Sequence, residues 1–172
     1  LTKKKPTGII IAAAAVVVIA ASVIIFILAG GSPEYKEAVA LMKAGDYEQA
    51  IAAFSALDPE YKDINEKIED CNNIIAYQAA TDLINSEQYD SAADAFLALG
   101  DYQDSAQLAQ TCTQNAAYEA ALAAMEAEDY ETAKTAFQEL GDFKDSVAKL
   151  AECEKAIQYN QAVALIQSGD FE

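Results

Sequence analysis

The chain contains no histidine, no arginine and no tryptophan, and only three cysteines and three prolines. Without histidine, these residues cannot assemble a Cys–His nucleophile, because a thiol needs an adjacent base to become a thiolate at neutral pH. Without arginine, all 11 basic residues are lysines, and 28 acids oppose them to give a formal net charge of −17. Phosphate binding needs clustered cations, so nucleic acid is not an expected partner; basic or uncharged protein surfaces are. A Gly-rich phosphate loop and the carboxylate spacing of an EF-hand are also missing, which leaves nucleotide and metal without support. The expectation is a protein with no cofactor, no metal and no catalytic residue.

Carboxylates alone could still form a general acid–base pair. Many of them, however, recur at turn and cap positions: Asp46, Asp129 and Asp170 before one kind of helix, Asp63, Asp104 and Asp145 before another. Helix dipoles and orphan amides account for short acids there, and Glu66 and Gln107 complete capping-box spacings.

One long apolar run is present. Residues 9–28 hold a single polar side chain, Ser22, and a helix of that length reaches roughly 30 Å, the thickness of a bilayer core. A cleaved signal peptide or a buried core helix would also be apolar, but the run exceeds a typical signal core and no lipobox cysteine follows it. We read residues 8–30 as a transmembrane helix preceded by a cytoplasmic stub, 1–7, and followed by a linker, 31–34. Lys3, Lys4 and Lys5 lie before the run, which orients the N-terminus to the cytoplasm and the remainder outside it. The expected localisation is thus single-pass, with the lipid bilayer itself a partner through residues 8–30.

Residues 35–172 repeat. Tyr35, Tyr77, Tyr118 and Tyr159 each precede another aromatic (Tyr47, Tyr89, Tyr130 and Phe171) by the same interval, with Ala38, Ala80, Ala121 and Ala162 three residues after the first. Apolar positions then follow at helical spacing. A second alignment comes after the aromatic: Ala50 with Phe54 and Leu57, Ala92 with Phe96 and Leu99, Ala133 with Phe137 and Leu140. The spacing predicts a short helix of about ten residues alternating with a longer one of about twenty. Asn72-Asn73 and Thr113–Asn115 are candidate kinks that would make a three-helix unit instead. No strand is expected.

The stretch Gly45-Asp46-Tyr47-x-x-Ala50-Ile51-x-x-Phe54 resembles the turn and second helix of a tetratricopeptide repeat. A small or polar residue permits the turn, the aromatic fills the space between helices, and alanine lets them approach. The resemblance covers 35–172 in three full repeats and a truncated fourth, with a period near 41 residues and Gly-Asp-aromatic where the family places a proline. The whole chain also resembles membrane-anchored bacterial repeat proteins, which often carry a zinc ribbon on the cytoplasmic side; no ribbon residues occur here. The resemblance implies an all-α fold, an N-terminal transmembrane helix followed by an α-solenoid of tetratricopeptide-like repeats. The chain itself reads as a piece of a longer protein, beginning at Leu1 and stopping inside a repeat.

Tyr47, Ala50, Phe54, Tyr89, Ala92, Phe96, Tyr130, Ala133 and Phe137 are expected to pack the repeats. Cys71, Cys112 and Cys153 fall one per repeat, which suits a small buried position better than a disulfide or a metal site. A partner would be met where the first helices differ: Gln78, Thr81 and Asp82; Glu119, Ala120 and Ala123; Lys36, Glu37 and Val39; Asn160, Gln161 and Val163. The expected function is a membrane-anchored extracytoplasmic protein–protein interaction scaffold. The alternative is a spacer or sensor ectodomain serving a cytoplasmic domain.

Overall fold

The computed structural model describes residues 32–61 and 63–169. Among them are seven α-helices and no strand, an architecture compatible with a helical repeat. The membrane assignment is corrected: among the described residues no helix is long and apolar enough to cross a bilayer, since the longest helices interleave charged and polar residues with apolar ones. The transmembrane helix proposed for 8–30, with the stub 1–7, lies outside the described residues. The fold class is corrected to all-α, with no membrane-spanning helix among the described residues. No described helix supports the single-pass localisation with cytoplasmic N-terminus and extracytoplasmic repeats.

Helix α1 (Pro33–Ala44) shows why these boundaries fall where they do. Ser32 accepts the Tyr35 amide at 3.1 Å as N-cap, and Pro33 occupies the first turn, where its missing N–H costs nothing. The helix thus starts two residues before the boundary expected at Tyr35. Gly45 closes it at φ +89°, a left-handed conformation that glycine adopts without a Cβ clash, and the Gly45 and Asp46 amides donate to the Met42 and Leu41 carbonyls.

The chain divides into two compact units between Ile75 and Ala76. The first holds α1, α2 (Tyr47–Ser55) and the opening turns of α3 (Ile64–Asn85). Its core is Ala38, Ala50, Phe54, Ile64 and Cys71. The second unit holds the rest of α3, then α4 (Tyr89–Ala98), α5 (Ser105–Glu126), α6 (Tyr130–Leu140) and α7 (Ser146–Ser168). Two apolar clusters fill it, one around Ala80, Ala92, Phe96, Ala109 and Cys112, the other around Tyr118, Ala121, Ala133, Phe137 and Cys153. In α5 the first half closes one cluster and the second half opens the next, so one helix serves two cores.

Long and short helices alternate as the spacing predicts. Neither candidate kink interrupts a helix. Around Thr113 the polar side chains fold back on their own helix: Thr113 Oγ1 donates to the Ala109 carbonyl and Asn115 Nδ2 to that of Thr111, so polarity is met without a break. The capping roles expected of Asp104 and Asp145 are also corrected. Both stand at the N-cap, but neither carboxylate accepts an amide of its own helix; each is held by a tyrosine hydroxyl instead.

Candidate functional site

The same three-ring arrangement occurs in each of the first three repeats. Tyr35, Tyr77 and Tyr118 meet Phe54, Phe96 and Phe137 edge-on, with centroids 5.8, 5.4 and 5.8 Å apart. A third ring from the following turn, Tyr61, Tyr102 or Phe143, approaches the tyrosine at 5.8, 6.0 and 6.3 Å. T-shaped packing of this kind stabilises beyond area burial alone. The tyrosine hydroxyl then donates to the aspartate opening the next long helix: Tyr35 to Asp63 Oδ1 at 2.5 Å, Tyr77 to Asp104 Oδ1 at 2.6 Å, and Tyr118 to Asp145 Oδ1. These aspartates are the capping candidates of the sequence, and their constancy 27 or 28 residues after the tyrosine is the signal that would have paired them.

The bond leaves an electrostatic mark. The Asp63 carboxylate and burial push the Tyr35 phenol from 10.0 up to about 12, and Asp145 does the same to Tyr118. Asp63 is held below the ordinary 3.8, chiefly by the Tyr35 hydroxyl. A phenol whose folded value is raised contributes stability fully below its unfolded value and loses it as pH climbs to the folded one. Unfolding stability should therefore fall between pH 10 and about 12, and tyrosinate absorbance should lag behind that of the denatured chain. Tyr118→Phe should flatten part of that alkaline loss; an unchanged profile in this variant would contradict the assignment. At the acid end, the Asp63 contribution is present above 3.8 and disappears as pH drops through its lowered value.

The expected packing positions are found inside. Ala50, Ala92, Ala133, Phe54, Phe96 and Phe137 are fully buried; Tyr47 and Tyr130 are half-buried against their clusters, and Tyr89 is half-buried too. Cys71, Cys112 and Cys153 are buried free thiols, and desolvation raises all three above the ordinary cysteine value, which disfavours the nucleophilic thiolate.

The variable first-helix residues differ in exposure and in partners. Lys36 and Val39 line a groove with Tyr35, Ala40 and Lys43 on α1; Glu37 is exposed nearby. Gln78 and Asp82 are exposed on α3, while Thr81 is half-buried and donates to the Tyr77 carbonyl. On α5, Ala120 and Ala123 are exposed, and Glu119 reaches Lys144 at 3.9 Å. Val163 is half-buried on α7. Asn160 and Gln161 do meet other elements: with Ile157 and Ala164 they form one wall of a groove of about 370 Å³, whose other wall is the α5–α6 turn, Glu128 to Glu131.

That turn is unusual for its residue types. Glu128 sits at φ +60° and its counterpart Glu87 at +57°, where the corresponding turns use Gly45 and Gly169. A glutamate in the left-handed region is strained relative to glycine. Asp129, itself exposed, caps α6 through the Thr132 amide at 3.2 Å, and Glu128 and Glu131 are the groove's other two exposed carboxylates. Sequence reasoning missed Glu128, Glu131, Ile157 and Ala164. Ala164 was within reach, being the repeat counterpart of Ala123.

Among the described residues, no cluster of three or more His, Cys, Asp or Glu side chains is placed to hold a metal. Comparison with models of protein families, with curated proteins and with solved structures finds no match to this chain.

Proposed function

We propose that this chain is a tetratricopeptide-like repeat scaffold that binds protein segments, and that the groove between the α5–α6 turn and α7 receives a lysine or arginine side chain of the partner. The groove carries the reading. Its acidic lip, Glu128 and Glu131, faces an apolar and amide wall of Ile157, Asn160, Gln161 and Ala164, which suits a long aliphatic stem ending in a cation. The surplus of acids over lysines favours the same class of partner by steering it toward the surface.

Titration with a lysine-bearing amphipathic peptide and its glutamine-substituted twin tests this. The lysine peptide should bind more tightly, weaken with added salt, and lose about fivefold in affinity to a Glu128→Gln, Glu131→Gln double variant, the scale of one exposed ion pair. Equal binding of the two peptides would sink the assignment.

A further inference from the structure

The acidic lip of the groove has a counterpart one repeat earlier. Glu128 and Glu131 flank the start of α6, and Glu87 and Asp90 hold the same two positions at the start of α4. All four carboxylates are exposed, and none joins an ion pair among the described residues. Helix dipoles account for half of them. Asp90 and Glu131 stand in a first helical turn, where an anion is favoured, but Glu87 and Glu128 follow the C-terminal turns of α3 and α5, where the dipole disfavours one. No cation compensates them either. The chain has no lysine between Lys67 and Lys134, a stretch that contains both lips and through which Asp and Glu recur. The lysines that follow are engaged elsewhere: Lys134 with Glu154, Lys144 with Glu119 and Lys149 with Glu152.

Both lips lie in the second compact unit, where α4 packs against α5 as α6 packs against α7. On α5, Ala116, Ala120 and Ala123 hold the positions that Ile157, Gln161 and Ala164 hold in the wall of the groove. Ala120 and Ala123 are exposed, so the surface between the lips is floored by methyl groups, over which a partner's backbone can pass closely. Equivalent points on successive packed layers stand roughly 10 Å apart. We infer that the two lips act together and hold an extended basic segment of a partner protein, in which a lysine or arginine recurs every third residue and each lip takes one cation. The inference rests on the groove reading and adds to it a second site, a spacing and a chain geometry. Three residues of polyproline-type chain advance about 9 Å and return the side chain to the same face, which matches the step between the lips. A cationic segment complements a surface that has no cation of its own. Two weak ion pairs carried on one chain also reinforce each other, because the second forms at high effective concentration.

Proline-rich peptides are stiff enough to serve as rulers. Three are titrated into the full chain at low salt: one with a single lysine, one with two lysines three residues apart, and one with two lysines nine residues apart, about 28 Å. The three-residue peptide should bind at least about fivefold tighter than the single-lysine one, the scale of a further exposed ion pair. The nine-residue peptide should gain no more than about twofold, since its second lysine overshoots the lip. In the chain, Glu87→Gln with Asp90→Asn should remove the gain of the three-residue peptide and leave the single-lysine peptide, held in the groove, within about twofold. Asp94→Asn with Asp101→Asn removes the same charge from exposed positions outside the lips and should leave the gain intact. All these side chains are exposed, so helix content should not change. Equal gains at both spacings would overturn the inference, and so would an Asp94 and Asp101 loss as large as that at Glu87 and Asp90, since the attraction would then be diffuse. If Glu128→Gln with Glu131→Gln weakens the single-lysine peptide while a second lysine adds nothing, only this inference fails; if that variant changes no peptide, the groove reading fails with it.

Discussion

Replacing Phe96 with alanine is expected to lower the free energy of unfolding by about 3–5 kcal/mol, while Leu97→Ala, one residue along the same helix, should change it by less than about 0.5 kcal/mol. The two side chains have similar bulk and hydrophobicity, so composition cannot separate them. Burial does: Phe96 is fully buried and Leu97 is 63% exposed. Phe96 touches Tyr77 edge-on at 5.4 Å and shares a cluster with Ala80, Ala92, Ala109 and Cys112. Those neighbours are small and sit on stiff helices, so the space left by the ring cannot collapse, and the cavity adds to the lost transfer energy. The loss should be local. Amide exchange ought to accelerate in α4 and the first half of α5, which line this cluster, before it does so around Phe137, which belongs to another. Urea denaturation of both variants, followed by circular dichroism, checks the contrast. Equal effects of the two substitutions would mean that the register of α4 is wrong.

The register itself was legible in the sequence because it rests on spacing. Alanine and phenylalanine four apart, recurring after each aromatic turn, fix the buried stripe of a short helix. The structure puts Ala50 with Phe54, Ala92 with Phe96 and Ala133 with Phe137 inside, as that stripe requires. The alternation of short and long helices was legible for the same reason. Aspartate roles were not. At Asp104 and Asp145, local rules favour a capping carboxylate, but a tyrosine hydroxyl 27 residues earlier competes for the same oxygen and wins, and a local rule sees nothing at that separation. The groove was hidden for a related reason: Glu128 and Ile157 are far apart in sequence and become neighbours only when α7 packs beside the turn. The assignment of residues 8–30 rested on hydropathy alone. The described helices offer it no counterpart.

Ser105→Ala should stabilise the protein by about 1–2 kcal/mol, although serine is fully buried there and buried substitutions usually destabilise. The repeat explains the sign. Ile64, Ser105 and Ser146 occupy equivalent positions at the start of α3, α5 and α7, all three within 1% of complete burial. Isoleucine at the first shows that the site accepts an apolar side chain. Ser146 makes its hydroxyl useful by donating to the Phe143 carbonyl at 2.6 Å. Ser105 Oγ has no hydrogen-bond partner, so it carries the desolvation cost of a buried polar atom without the compensating bond. Removing it relieves that cost and leaves little void, since alanine differs from serine by one atom. Ser146→Ala deletes a made bond and should destabilise by roughly 0.5–1.5 kcal/mol. The pair therefore predicts opposite signs from one substitution at two copies of one position. Thermal and urea unfolding of both variants measures the difference, and a Ser105→Ala loss as large as that of Ser146→Ala would show that the Ser105 hydroxyl is bonded in solution.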